Sequence, residues 1–146
     1  IEQHGATLVQ VIGDGLMVFL GAPEGMENDK QAEAAVKLAM AIQDKVKQLA
    51  KGWLDSGLEF LGPARIGIHQ DYVTVGNFGS QDMMEYTAVG RGINLASRLE
   101  TSCTPGHIKI SYPIYQLCKD KFEFGELKEE SFKGFSRQIK VAEVVP

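Results

Sequence analysis

The chain has 146 residues, 44% of them hydrophobic, which is enough for one domain with a core of its own. Its net charge of −4 at pH 7 argues against wholesale nucleic-acid binding, which needs a basic face, so no nucleic-acid partner is expected, whereas a small anionic substrate fits if the basic residues cluster. No apolar run is long enough to span a bilayer and no signal peptide is visible, although a longer parent protein can still be membrane-anchored.

In chain order, residues 7–12 are β-branched and apolar and predict a strand, and residues 16–20 predict a second. Gly13-Asp14-Gly15 between them makes a tight hairpin turn. Residues 28–51 carry apolar side chains at helical spacing (Ala32, Val36, Ala39, Met40, Val46, Leu49, Ala50), with acids leading and lysines closing, as the macrodipole favours. Residues 52–63 read as a loop. Residues 64–69 and 72–78 predict two strands joined near Gln70-Asp71, the second broken by Asn77-Phe78-Gly79-Ser80. Residues 90–101 predict a helix, 107–111 a short strand and 113–119 a short helix. Residues 122–130 and 139–145 predict a closing hairpin around Lys133-Gly134. This alternation implies an α+β sandwich of the ferredoxin-like type, as one domain over residues 1–146. Cys103 and Cys118 show no metal-ligand spacing and read as reduced thiols of a cytoplasmic protein. The chain opens in mid-pattern, without an initiator Met, as a piece of something longer does.

Four places carry candidate chemistry. Asp14 either suits a tight turn or is a carboxylate held rigidly for a divalent metal. Asn94 and Arg98 lie four apart on one helix face, beside an apolar stripe of Leu95 and Leu99. An amide and a guanidinium so placed can hold a sugar and a phosphate, or they are simply a solvated face. Lys133, beside Gly134, can reach a phosphate, and Arg65 at a strand start can meet an anion. His69 alternates with apolar neighbours and reads as a hydrogen-bonded structural residue. Gly76-Asn77-Phe78-Gly79 lacks the Lys-Ser/Thr of a phosphate loop and reads as a turn.

Taken together, GATLVQVIGDGLMVFLGAP, RIGIHQDYVTVGNFGS, EYTAVGRGINLASRLE and the late FKG resemble the class III nucleotidyl cyclase catalytic domain, in order and spacing, from about Gly5 to Lys140. The resemblance implies conversion of a nucleoside triphosphate to its 3′,5′-cyclic monophosphate with release of pyrophosphate. It implies two divalent cations, Mg²⁺ or Mn²⁺, with Asp14 matching the second of two metal-holding aspartates. Asn94 matches the ribose-orienting asparagine and Arg98 the arginine that stabilises charge on the α-phosphoryl group. Lys133 and Arg65 match phosphate-binding positions. The family's sites lie between head-to-tail protomers of a dimer, with Asp14 and Arg65 from one chain and Asn94, Arg98 and Lys133 from the other. Gln10 and Thr87 match the positions that choose the base. Thr87 and YTAVG favour ATP over GTP, whereas Gln10 departs from the Lys of adenylyl and the Glu of guanylyl cyclases. Its amide both donates and accepts, so it suits either purine.

Two further departures stand out. Asp71 takes a position usually held by Gly. The family's opening strand, with the first metal aspartate, is expected upstream of Ile1, so this piece alone is expected to be a poor catalyst. Upstream sensor or regulatory domains are expected in the parent protein. The competing expectation is a non-catalytic nucleotide-binding or dimerisation module derived from a cyclase. A polymerase- or diguanylate-cyclase-like domain shares the core and the metal chemistry, but the hairpin here is Ile12-Gly13-Asp14-Gly15 rather than GGDEF.

Overall fold

A computed structural model describes residues 1–22, 24–59, 62–81 and 83–146, and the side chains among them apart from those of residues 2, 12, 80 and 83–87. The first hairpin is β1 (Ala6–Ile12) and β2 (Gly15–Leu20), paired antiparallel with Ile12 opposite Gly15. Leu8 faces Val18 and Gln10 faces Met17, so Val9 is an extra residue on β1 and forms a β-bulge.

Helix α1 (Asn28–Asp55) buries Ala32, Val36, Leu38, Ala39 and Gln43. The Gln43 amide donates to the carbonyls of Ala64 (3.0 Å) and His107 (3.1 Å), fastening the approaches to two later strands. The helix runs past Gly52, where the sequence predicts a loop. A glycine inside a helix costs only about 1 kcal/mol relative to alanine. The stop lies further on, where Gly57 N–H donates to Leu54 O (3.0 Å) and Leu58 N–H to Trp53 O (2.8 Å), the paired bonds of a Schellman cap.

The central sheet consists of β3 (Ile66–Ile68), β6 (Ile108–Ser111), β7 (Lys128–Glu130) and β8 (Ile139–Glu143), in the order β3-β6-β8-β7. The β3–β6 pair is parallel and the others are antiparallel. Alternate residues of β6 and β8 serve opposite faces. Ile108, Ile110, Ala142 and Val144 pack with α1 and with α3 (Tyr112–Cys118), through Val36, Ala39, Ile114 and Cys118. On the other face, Val141 packs with Phe132 and with Leu95 and Leu99 of α2 (Arg91–Ser102). The same face carries the buried Lys109, which donates to Ser102 O (3.2 Å) and pairs with Glu130 (2.9 Å).

A second hairpin, β4 (Thr74–Ser80) and β5 (Met83–Val89), corrects the expected break at residues 77–80. The glycines there sit inside a strand because β5, unanticipated from sequence, pairs with β4 along its whole length. Two expected strands are shorter than predicted: 64–69 contracts to Ile66–Ile68. Residues 122–130 contract to Lys128–Glu130, with Phe124 adding one bridge to Val144. The α+β class and the closing β7–β8 hairpin are as expected. Among the described residues no helix is long and apolar enough to cross a membrane.

Candidate active site

Helix α2 supplies the frame. Leu95 and Leu99 are buried, which leaves Arg91, Asn94 and Arg98 exposed on an adjoining face at spacing i, i+3, i+7. The helix seats against β3 at Gly67, where a β-carbon would lie 2.6 Å from the Ala96 carbonyl oxygen. No other residue permits this approach.

The turn that carries Lys133 is positioned by its own neighbours. Phe132 is buried against Leu95, Leu99 and Val141. Phe135 N–H donates to Phe132 O (3.1 Å), closing a four-residue turn. Gly134 sits in it at φ +90° while Lys133 keeps negative φ, the pattern of a type II turn with glycine third. Lys133 therefore projects beside α2. Arg91, Asn94, Arg98, Lys133, Gly134 and Phe135 together line a cleft of about 290 Å³. It holds three cations, one amide and no carboxylate. Among the described residues, the side chains of Asn94, Arg98 and Lys133 have no hydrogen-bond or ion-pair partner. In a chain of net charge −4, three cations gathered in one cleft, two of them unpartnered among the described residues, favour an anionic, polyphosphate-like ligand. A larger, more open cleft of about 480 Å³ at the end of α3 mixes Lys119 and Lys121 with Asp120 and Glu123, and includes none of these groups.

The other expected site residues stand apart from this cleft. Asp14 occupies the two-residue turn between β1 and β2, exposed. Gly13 takes φ +57° and Asp14 does not, which matches a II′ turn with glycine first. Nothing among the described residues bonds to the Asp14 carboxylate. Gln10 is exposed on β1 immediately after the bulge. Arg65 precedes β3 and is engaged at the far end of α2, donating to Thr101 O (3.2 Å) and meeting Glu100 at 3.5 Å. Thr87 lies on β5, its backbone opposite Gly76, and its side chain is outside the described residues. The expected residues thus fall into two groups on one chain, Asn94, Arg98 and Lys133 in the cleft, Asp14 and Arg65 away from it. Among the described residues no three His, Cys, Asp or Glu side chains gather as a metal cluster.

His69 is structural, as expected. Its Nδ1 lies 2.6 Å from Ser111 Oγ and its Nε2 3.3 Å from Asp71 Oδ2. Burial pushes the imidazole pKa down, against the upward pull of Asp71. The residue that sequence reasoning missed is Arg91. Its guanidinium stands 4.8 Å over the Phe135 ring and donates to Gly134 O at 3.4 Å. The available signal was its i, i+3, i+7 spacing with Asn94 and Arg98.

Residues 1–143 match the family model of the adenylate and guanylate cyclase catalytic domain. The chain is 31% identical over 148 residues to Adenylate cyclase 1 of Rhizobium meliloti (strain 1021), across 99% of this chain and 22% of that protein. The solved adenylyl cyclase CyaB from P. aeruginosa has a TM-score of 0.95 at 39% identity, covering 99% of this chain and 74% of that one. The solved guanylyl cyclase Cya2 has a TM-score of 0.89 at 30% identity, covering 98% of this chain and 71% of that one. The chain therefore spans about a fifth of the length of that curated relative.

Proposed function

The chain belongs to the adenylate and guanylate cyclase catalytic domain family, and on that premise we propose that residues 1–146 form part of a single catalytic domain of a purine nucleotidyl cyclase, with ATP preferred to GTP. The observation that carries the reading is the cleft in which Asn94, Arg98 and Lys133, unpartnered among the described residues, face one another without a carboxylate. The ribose 3′-hydroxyl loses its proton to solvent water, and its oxygen attacks the α-phosphorus. The bond from that phosphorus to the bridging oxygen of the β-phosphate breaks, and pyrophosphate leaves with the electron pair. Asn94 orients the ribose by hydrogen bonding. Arg98 meets the charge that grows on the α-phosphoryl oxygens, a fork matched to phosphate. Lys133 and Arg65 bind the trailing phosphates, and Gln10 with Thr87 reads the base.

The Asp14 carboxylate, exposed and unengaged among the described residues, fits a divalent cation. Mg²⁺ is commonly held by one or two carboxylates together with substrate phosphates rather than by an all-protein cage. Two such cations, Mg²⁺ or Mn²⁺, would lower the pKa of the 3′-hydroxyl and neutralise the triphosphate. We assign the two residue groups to different protomers of a head-to-tail homodimer. Asp14 and Arg65 of one chain then complete the cleft of the other, and a symmetric pair makes two sites. The domain works on the cytoplasmic side, where nucleoside triphosphates are supplied, under control of further domains of the parent protein. The test is a product assay on the full-length protein with ATP and GTP separately and Mn²⁺. Cyclic AMP as the main product supports the reading. No cyclic nucleotide from either, in a folded dimer that binds nucleotide, replaces it with a non-catalytic module.

A further inference from the structure

Lys133 is a flexible side chain on an exposed turn, and by itself such a side chain makes a poorly directed phosphate ligand. The turn is tied to α2 on both sides. Phe132 is buried beneath the helix, against Leu95 and Leu99. Above it, Arg91 reaches over from the first turn of α2, stacked on Phe135 at 4.8 Å and donating to Gly134 O at 3.4 Å. These two contacts fall on the residues immediately after Lys133. They fix how far the turn stands from the helix face that carries Asn94 and Arg98.

We propose that Arg91 is a positioning residue for Lys133: its guanidinium, bonded to Gly134 O and stacked on Phe135, holds the Lys133 turn against α2 so that Lys133 and Arg98 converge on one polyphosphate. This rests on the nucleotide-binding reading of the cleft. An arginine suits the task because its planar group stacks on a ring and still donates within its plane, which an ammonium group cannot do. Phe135 has a defined part in this arrangement. It is the platform on which the Arg91 guanidinium stacks.

The test is a double-mutant cycle on the full-length protein, read by equilibrium binding of ATP and of adenosine, with thermal melting as the check on folding. Lys133→Ala is expected to weaken ATP binding by about ten-fold, the loss of one charge-assisted contact. Arg91→Ala is expected to weaken it by about five- to ten-fold and to leave adenosine binding unchanged. The double variant should be no weaker than Lys133→Ala to within about two-fold, because Arg91 acts through Lys133. Phe135→Leu, which leaves every charge in place, should reproduce the Arg91→Ala loss. Losses that multiply in the double variant, or a Phe135→Leu protein that binds ATP like the parent while Arg91→Ala does not, overturn the proposal in favour of direct phosphate contact by Arg91. An Arg91→Ala protein that binds ATP normally overturns it as well, and so does a parent protein that binds no ATP. A parent that binds ATP with this coupling yet forms no cyclic nucleotide refutes the cyclase reading and leaves the positioning role supported.

Discussion

Gly67 of β3 and Ala96 of α2 approach so closely that a β-carbon on the glycine would lie 2.6 Å from the alanine carbonyl oxygen. The contact sets the distance between the sheet and the helix that carries Asn94 and Arg98. Gly67→Ala must push α2 outward, and overpacking of this kind costs about 1–3 kcal/mol. Denaturant unfolding should show that loss, and activity should fall further than stability because the cleft widens.

In the proposed reaction Arg98 and Lys133 act at different points. An arginine that meets charge only in the transition state affects kcat, whereas a lysine that binds phosphates throughout affects KM. Arg98→Ala should therefore lower kcat by about 10²–10³-fold with little change in KM. Lys133→Ala should mainly raise KM. Steady-state kinetics on the full-length protein separates the two, and a reversed pattern removes the assigned roles.

On the proposed reading Gln10 meets the base, and its amide has both a donor and an acceptor to offer. Replacement by Glu leaves only an acceptor, which matches the N1–H and amino donors of guanine. Replacement by Lys leaves only donors, which match the N1 acceptor of adenine. The ratio of kcat/KM for GTP to that for ATP should rise in Gln10→Glu and fall in Gln10→Lys, each by about ten-fold, the worth of one good polar contact. Ratios that do not move would place base recognition elsewhere.

Burial lowers the pKa of His69 from its ordinary 6.5. Between that lowered value and 6.5 the unfolded chain binds more protons than the folded one, so stability rises with pH across this window. The contribution is complete above about pH 6.5 and is lost as the pH falls through the window. Asp71, which pulls the other way, is the ionisable partner the structure gives His69. The melting temperature should drop as the pH falls below about 6.5, and His69→Gln should flatten that part of the curve.

Local chemistry made parts of the molecule legible. The first hairpin could be read from Gly13-Asp14 because the turn type is written in those two residues. Helix α2 and the shared face of Asn94 and Arg98 could be read because both follow from the helical period. What escaped depended on contacts distant in sequence. Gly76 and Gly79 read as breakers, and only the pairing with Met83–Val89 keeps them in a strand. Gly52 likewise read as a helix end, whereas the cap lies at Gly57. The role of Arg91 depends on Gly134, 43 positions away, which no helix-face pattern contains. The bulge at Val9, which sets how Gln10 is presented, is a property of the pairing with β2 and leaves no mark in β1 alone.

The central claim is that a cyclase site is assembled from two chains, one giving Asp14 and the other Arg98. It is tested most directly by mixing. Full-length Asp14→Ala and Arg98→Ala proteins are assayed for cyclic nucleotide separately and after co-assembly. Each alone should be inactive, because both sites of either homodimer lack one essential group. In the mixture half of the dimers pair unlike chains, and each of these holds one intact site and one doubly damaged site. About a quarter of the parent activity should therefore return. A mixture as inactive as its components, with exchange of chains demonstrated, contradicts the account.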